Sequence, residues 1–266
     1  MKNTDANFYD CHGDNYDATR RADPEIVEHF SRLLNPHSEG RYLDLACGTG
    51  NYTAALAQGE GRWHGFDQSI VMLQQAQLKS TGVIWDQFDV NTTDYKESYF
   101  DGAICSLALH HFTSLPHALH EIARTVKPAA SLILFTALPT QMHGYWLNHY
   151  FPHMMRRSIE QMPSLESILS AAQSTSFTLT AIEPFFITPQ LQDLFLYSGK
   201  QRPEIYLQKS VRAGISSFQH FCCAEEQETG LAALRQDLQR EKFDEIATQY
   251  ENSLGDYTFI QLQRNA

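Results

Sequence analysis

Between residues 41 and 137, short apolar runs alternate with segments of helical pattern, and this alternation constrains the fold more than any other feature. Within each run the apolar residues are nearly continuous, which is typical of strands buried on both faces of a parallel sheet. The helical segments have the length that a crossover between parallel strands requires. The pattern therefore predicts a doubly wound α/β fold. The predicted strands are RYLDLA, RWHGFD, VIWDQFDV, DGAICSLA and SLILFTAL, separated by predicted helices that start near Tyr52, Ser69 and His117.

The segments on either side of this region carry further elements. Residues 24–34, PEIVEHFSRLL, begin with Pro and have apolar side chains at helical spacing, which predicts a helix ahead of the first strand. After Pro139 the sequence becomes rich in aromatic residues, and its patterns predict a helix over residues 165–173 and a strand over residues 177–186. Residues 191–245 are predicted to be helical, ahead of a final strand, DYTFIQLQ.

The charge of the chain limits its partners. Twenty Lys and Arg against 31 Asp and Glu give a net charge of -11, so the surface as a whole repels phosphate backbones and anionic lipid headgroups. We therefore expect a small-molecule substrate, no nucleic-acid or membrane partner, and a monomer or homodimer. The N-terminal residues lack the apolar stretch of a secretion signal, and no segment has the roughly 18 apolar residues of a membrane span, which favours a cytoplasmic location.

The cysteines favour reduced thiols over a disulfide framework. They are odd in number and form no C-x-x-C pair, so a structural metal site is not expected either. The five are Cys11, Cys47, Cys105, Cys222 and Cys223.

The segment LDLACGTGNY covers the end of the first predicted strand and the turn after it. It places Asp44 in the strand and Gly48 and Gly50 in the turn, where missing side chains let a ligand lie against the backbone. Asp67 ends the second strand seventeen residues after Gly50, and an acidic residue there can accept two hydrogen bonds from a ribose diol. The combination favours a nucleoside cofactor, although a glycine turn alone also suits any tight connection from strand to helix.

Together with this segment, GFD, FDV, YFDGAICSLALHHF and TVKP form an ordered set of motifs over roughly residues 8–137. The set resembles that of class I S-adenosylmethionine-dependent methyltransferases. Within that group the chain is most similar to the branch of ubiquinone and menaquinone C-methyltransferases, in which a Tyr-Asp-x-x-Arg segment precedes the first helix; here it comprises Tyr16, Asp17 and Arg20. The resemblance implies S-adenosylmethionine as cofactor and a Rossmann-like, mostly parallel, seven-stranded sheet with an antiparallel last strand and a helical cap.

The resemblance also implies where the cofactor binds. Asp44 and the backbone of residues 46–50 hold the methionine part in the family, and Asp67 holds the ribose with Gln68 beside it. Leu107 lines the passage next to the reactive methyl group. The implied cofactor-binding residues are Tyr16, Arg20, Asp44, Ala46, Cys47, Gly48, Gly50, Asp67, Gln68, Asp89, Val90 and Leu107.

One of the implied contacts has a competing interpretation, and another involves the N-terminal segment. Asp89 and Val90 occupy family positions that contact the adenine, where a carboxylate accepts from the exocyclic amine; the alternative is an aspartate that caps the turn after a strand. Tyr16 and Arg20 belong to the N-terminal lid, and Arg20 could pair with the methionine carboxylate of the cofactor.

The chain departs from the family pattern at two places. Ala46 replaces the first glycine of the glycine signature, a small change that leaves cofactor binding in place. Residues 128–130, Pro-Ala-Ala, replace Pro-Gly-Gly before the fifth strand. Because glycine tolerates positive φ and alanine does not, we expect a different backbone shape there.

Three side chains are candidates for chemistry. His110 and His111 follow the fourth strand, about 100° apart if helical, so only one is expected to face the cleft, with His111 preferred. A histidine there could accept a substrate proton near neutral pH, and packing or capping is the alternative role. Tyr145 lies in the aromatic segment after Pro139, where side chains could contact a flat substrate or the sulfonium, or simply pack in the core.

The predicted function is enzymatic transfer of the methyl group of S-adenosylmethionine to a small molecule by in-line displacement. One alternative keeps the cofactor but attacks another sulfonium carbon, which releases methylthioadenosine. A second is a non-catalytic binding module with a vestigial cofactor pocket. A nicotinamide dehydrogenase is disfavoured, because the third glycine of G-x-G-x-x-G is missing.

All these features are assigned to one domain over residues 1–266, since no Gly/Ser linker, repeat or low-complexity stretch divides the chain. Residues 1–35 are interpreted as the N-terminal lid and helix, and residues 36–138 as the cofactor-binding core. Residues 139–266 are interpreted as the substrate cap and final strands.

Overall fold

The computed structural model describes Asp17 and residues 19–266. Its centre is a seven-stranded sheet with strand order β3-β2-β1-β4-β5-β7-β6. Strands β1 to β5 are parallel, whereas β7 runs antiparallel between β5 and β6. The prediction of a doubly wound, mostly parallel sheet with an antiparallel last strand is confirmed. The strands are β1 Arg41–Leu45, β2 Arg62–Asp67, β3 Ile84–Gln87, β4 Phe100–Ser106, β5 Val126–Thr136, β6 Phe177–Phe185 and β7 Tyr257–Arg264.

Helices α1 to α4 and α8 pack beside the sheet, and the other helices of the described residues form the cap. None of those in the described part of the chain is long and apolar enough to cross a membrane. The cap comprises residues 139–163 and 186–256, which include helices α5 to α7 and α9 to α12. The helices are α1 Pro24–Leu34, α2 Asn51–Leu56, α3 Ile70–Lys79, α4 Leu115–Thr125, α5 Pro139–Met142, α6 Leu147–Tyr150, α7 Pro152–Glu160, α8 Leu165–Gln173, α9 Lys209–Ala213, α10 Ser216–His220, α11 Ala224–Gln239 and α12 Phe243–Thr248.

Two hydrophobic cores lie on the two faces of the sheet. On β5, Ile133 and Phe135 belong to the core that includes α1, α2 and the cap. Leu132 and Leu134 belong to the core that includes α4 and α8. Successive strand residues point to opposite faces, so a strand buried on both sides needs a continuous apolar run. This is the physical origin of the pattern seen in the sequence.

Helix α1 shows why the sequence predicts its bounds well. The Asp23 side chain accepts hydrogen bonds from the backbone N–H groups of Glu25 and Ile26, and Pro24 occupies the first helical position. Asn35 ends the helix in the left-handed conformation, with φ of 49°. Both ends are therefore set by local side-chain chemistry.

The prediction of helix from residue 191 onwards is wrong for residues 191–202, which form turns and irregular backbone. Tertiary contacts set the shape of this segment. The Tyr197 hydroxyl, for example, accepts a hydrogen bond from the Trp146 backbone N–H at 3.1 Å. Helical structure resumes only with the 3-10 turn Pro203–Leu207 and the helices after it.

The expectation for residues 128–130 is also wrong. These residues lie inside β5, and Ala129 has φ of 63°, in the left-handed region that glycine normally occupies. The chain therefore keeps the glycine-like conformation with an alanine in place. The neighbouring strand β7 helps to hold it, because Gln263 Nε2 donates to the Ala129 carbonyl at 3.2 Å.

Candidate active site

A cavity of about 420 Å³ opens where β1, β2 and β4 end. Strand β1 has β2 on one side and β4 on the other, so the chain leaves β1 at the point where the strand order reverses. A crevice forms at such a point in doubly wound sheets, because the connections on either side lie on opposite faces. The walls come from the loops after these strands, and the roof comes from the cap.

The glycine signature forms one wall of the cavity. Ala46 and Gly48 line it, with φ of 50° and 56°, so Ala46 adopts a left-handed conformation that glycine normally favours. A Cβ added to Gly48 would meet no atom of the described residues within 4 Å, so a ligand can lie beside this peptide.

Gly50 lies behind that wall rather than in it. It is absent from the cavity lining, and its φ is 71°. A Cβ at this position would lie 2.4 Å from a ring carbon of Trp85. The positive φ and the close packing of α2 against Trp85 therefore explain why this position is a glycine.

Asp44 is almost fully buried at the end of β1 and lines the cavity. Its Oδ2 accepts a hydrogen bond from Thr53 Oγ1 at 2.6 Å, whereas Oδ1 has no hydrogen-bond partner among the described residues. Burial raises the pKa of this carboxyl from its ordinary value to about 7. A buried acceptor without a partner in a cavity wall is suited to a cationic donor group of a ligand.

Asp67 ends β2 with its carboxylate held by the main chain. Oδ2 accepts from the Gly48 N–H at 2.8 Å, and Oδ1 accepts from the Ser69 N–H at 2.9 Å. Burial raises the pKa of Asp67, and the hydrogen bonds from the Ser69 and Gly48 N–H groups oppose that shift. A carboxylate has about four acceptor sites, so this one can still accept from a diol in the cavity.

Asp89 lies beyond β3, which ends earlier than predicted, at Gln87. Its Oδ1 accepts from the Asn91 backbone N–H at 2.8 Å, so the side chain does cap a turn. Its Oδ2 accepts from Gln68 Nε2 at 2.6 Å. Asp89, Gln68 and Val90 all line the cavity, so the turn-capping role does not remove Asp89 from the predicted adenine end.

Asp17, which the site prediction left out, contacts the cavity wall that the glycine signature forms. Asp17 accepts from Thr49 Oγ1 at 2.8 Å and from Asn51 Nδ2 at 3.2 Å, and it pairs with Lys79 Nζ at 2.7 Å. Its signal was present in the sequence, as the Asp of the Tyr-Asp-x-x-Arg segment. The neighbouring Tyr16 lies outside the described residues.

Arg20 and Asp193 both line the cavity and are paired with each other. The Arg20 Nε lies 2.5 Å from Asp193 Oδ1, and Nη2 lies 3.2 Å from Oδ2. No sequence pattern indicated Asp193, which belongs to the irregular segment 191–202.

Both histidines after β4 line the cavity, which corrects the expectation that only one could face it. They lie in a short 3-10 turn, Leu109–His111, with ring centroids 4.0 Å apart. The expectation assumed a continued α-helix, which the chain does not form at these residues. Leu107, with φ of 55°, also lines the cavity.

Tyr145, the third catalytic candidate, lies outside the cavity lining in the hydrophobic core. Its ring stacks on Tyr197 with centroids 3.9 Å apart, and its hydroxyl donates to the Asp256 carbonyl. Burial raises the pKa of this hydroxyl well above its ordinary value. This placement supports the packing role among the two that the sequence left open.

The cap adds further residues to the cavity lining, which sequence reasoning missed because periodicity does not show which cap side chains converge. Apart from Asp193, they are apolar or carry neutral polar groups. They include Met142, Ser158, Gln161, Met162, Phe195, Leu196, Ile215, Ser216 and Ser217.

Residues 43–134 match the family model described as a methyltransferase domain. Over 114 residues the chain is 36% identical to a demethylmenaquinone methyltransferase of Lactiplantibacillus plantarum, a match that covers 39% of this chain and 48% of that protein. The chain thus spans about half the length of this curated relative. Its fold matches a crystal structure from Anabaena variabilis with a TM-score of 0.81 and 31% identity, covering 91% of this chain and 98% of that one. That protein is described as a methyltransferase from an antibiotic biosynthesis pathway.

The chain belongs to the class I S-adenosylmethionine-dependent methyltransferases. The predictions of family, enzyme class and cofactor are confirmed. A geranyl diphosphate C-methyltransferase from Streptomyces coelicolor, solved with S-adenosylhomocysteine, shares the fold at a TM-score of 0.57 and 13% identity, covering 90% of this chain and 75% of that one. Individual residue roles in this methyltransferase remain predictions.

Proposed function

We propose that this methyltransferase transfers the methyl group of S-adenosylmethionine to an uncharged, largely apolar small molecule. One observation carries the proposal. A single cavity joins the carboxylates at the strand ends to a cap lining in which Asp193 is paired with Arg20 and the other described side chains are apolar or neutral. A charged acceptor group would lose its hydration there without gaining a partner of opposite charge.

The residues present fit the cofactor. Among the described residues, no atom fills the space beside Gly48, where the methionine part can lie, and Asp44 Oδ1 has no partner, so it can accept from the ammonium group. Asp67, oriented by two main-chain N–H groups, can accept from the ribose hydroxyls. When bound, S-adenosylmethionine supplies a methyl carbon already activated by the sulfonium.

The chain then contributes alignment, exclusion of water and a base. Cap side chains such as Phe195 and Ile215 form an apolar wall that holds the acceptor against the cofactor. We assign to His111 the acceptance of the acceptor's proton as the new bond to carbon forms. His110 packs beside it, with their rings 4.0 Å apart.

The charge of the chain supports this class of acceptor. A net charge of -11 disfavours nucleic acid, and it gives no attraction to an anionic membrane surface. We therefore place the reaction on a small molecule in the cytosol.

The test is an acceptor screen with the purified chain and S-adenosylmethionine. The probes are matched series of aromatic and aliphatic compounds, each available as a neutral, a carboxylate and an amine form. We expect methylated product and S-adenosylhomocysteine, by mass spectrometry, from neutral members only. Preferred methylation of charged members would contradict the acceptor class, and methylthioadenosine as the nucleoside product would favour the non-methylating alternative.

A further inference from the structure

Three consecutive cap residues bind the segment that precedes α1. The Gln192 N–H donates to Asp23 Oδ2 at 2.8 Å, and the Leu194 N–H donates to the Thr19 carbonyl at 3.1 Å. Between them, Asp193 forms its ion pair with Arg20. The Arg20–Asp193 pair is thus placed by backbone contacts on both sides.

Asp193 is a buried carboxylate in a cavity wall. It is only 1% exposed, yet its side chain lines the same cavity as Asp44 and Gly48. Besides the two bonds from Arg20, its Oδ2 accepts from the Tyr52 hydroxyl at 3.0 Å. A buried ion pair is weak evidence for stability, since desolvation offsets much of the attraction. A role in binding is a better explanation for its place in the wall.

The pair lies at the end of the cavity where the methionine part belongs. Tyr52, which binds Asp193, is adjacent in α2 to Thr53, which binds Asp44. Arg20 is tied to the same helix, because Asn51 Nδ2 donates to the Arg20 carbonyl at 3.2 Å. One positive and one negative group therefore stand side by side next to the glycine signature.

We propose that Asp193 and Arg20 together bind the zwitterionic amino-acid end of the cofactor, with the Asp193 carboxylate facing the ammonium and the guanidinium facing the carboxylate. This rests on the proposed function, because it needs S-adenosylmethionine in the cavity. Asp193 thereby makes the cap, and not only the Rossmann-like core, part of the cofactor site. A charge pair is complementary to a zwitterion, and charge-assisted hydrogen bonds are about twice as strong as neutral ones.

The test compares two nucleosides in calorimetry. S-adenosylhomocysteine carries the amino-acid end, whereas methylthioadenosine lacks it and keeps the adenosine. We expect Asp193→Asn to lower the affinity for S-adenosylhomocysteine by about tenfold or more, which corresponds to the loss of one charge-assisted hydrogen bond. Methylthioadenosine should bind the variant and the native chain equally well.

Asp256→Asn is the matched control. Asp256 is also a buried cap aspartate, 3% exposed, and it is paired with Lys200 at 2.8 Å, but it does not line the cavity. This variant should leave the affinities of both nucleosides unchanged. If Asp193→Asn does not fold, Tyr52→Phe removes one bond to Asp193 and should weaken S-adenosylhomocysteine alone, by about threefold.

The outcomes separate the two proposals. If Asp193→Asn lowers the affinity for both nucleosides equally, or changes neither affinity, the role of Asp193 is overturned. The methyltransferase proposal then stays in place. If the native chain binds neither nucleoside, the proposed function itself fails. Weakening of S-adenosylhomocysteine alone supports the inference.

Discussion

The two ends of the cavity are built in different ways. At the proposed cofactor end, Asp44, Gly48 and Asp67 lie within a short stretch of chain, and the pairing of β1 with β2 fixes their relative positions. At the proposed acceptor end, residues such as Met142 and Ile215 come from distant cap segments and meet only through side-chain packing. Backbone hydrogen bonding therefore fixes the cofactor end. The acceptor end can change its side chains without disturbing the sheet.

The largest effect that distinguishes the ends is a pH effect at Asp44. Its pKa rises from an ordinary 3.8 to about 7 on burial, so between these values the native state keeps a proton that the unfolded chain has lost. Without cofactor, the free energy of unfolding should therefore fall as pH rises from about 4 to about 7, by at most roughly 4 kcal/mol. Urea unfolding at pH 5 and pH 7 measures it. The Asp44→Asn variant should show a smaller change in the free energy of unfolding between the two pH values. An equal change in the variant and the native chain would show that Asp44 titrates normally.

The second prediction concerns the histidines between the two ends. We expect His111→Gln to lower kcat by about 100-fold, a low value for loss of a general base, with the affinity for S-adenosylhomocysteine unchanged. His110→Gln is the matched control and should lower kcat far less. Steady-state kinetics with an acceptor from the screen provides the measurement. The reverse order of effects would transfer the base to His110.

The third prediction concerns the cofactor end. Asp67→Ala should weaken S-adenosylhomocysteine by about 2 kcal/mol, or about 30-fold, because two ribose hydroxyls lose their acceptor. Asp101→Ala is the control, since Asp101 lies near the start of β4 and bonds to Lys127 and the Arg41 N–H. Calorimetry should show no change for it. An Asp67→Ala chain with native affinity would place the ribose elsewhere.

The fourth prediction concerns the acceptor end. Ile215→Ala removes an apolar contact from the cap lining and should raise the acceptor KM about tenfold, within the range for lost methylene groups in a pocket. The affinity for S-adenosylhomocysteine should stay the same. Ile187→Ala, at an equally buried cap residue outside the lining, should change neither value. If Ile215→Ala both raises the acceptor KM and lowers the affinity for S-adenosylhomocysteine, the two ends are not independent.

The smallest expected effect is at Ala129, far from the cavity. Because its φ is 63°, Ala129→Gly should relieve strain and raise the stability by about 1 kcal/mol, or roughly 2–4 °C in Tm. Ala130→Gly in the same strand should instead destabilise by about 0.5–1 kcal/mol. Thermal unfolding of the two variants gives the comparison, and destabilisation by both would show that the Ala129 backbone is not strained.

The sequence predicts best what local chemistry determines. Helix α1 has its capping aspartate, proline and asparagine in the sequence itself, so its bounds are those predicted. Asp44 and Gly48 are equally visible, since strand periodicity and a turn motif place them at one edge of the sheet. Each of these depends on residues close together in the chain.

What the sequence could not show depends on contacts between distant residues. Asp193 pairs with Arg20 across 173 positions, and no periodicity signals such a contact. Residues 191–202 have a helix-compatible composition, but their backbone follows tertiary hydrogen bonds instead. The conformation of Ala129 is set within a sheet that includes β7, which is contributed by a remote part of the chain.

The place of β7 in the sheet has a consequence for synthesis on the ribosome. Strand β6 pairs only with β7 among the described strands, and some seventy residues of cap separate the two in the chain. Until β7 emerges, both edges of β6 and one edge of β5 are unpaired, with Leu179 and Ile182 on the surface of β6. Unpaired edges bearing apolar side chains invite association between nascent chains. A translational pause inside the cap would prolong that interval, so codon changes there should alter the yield of soluble protein without altering a single residue.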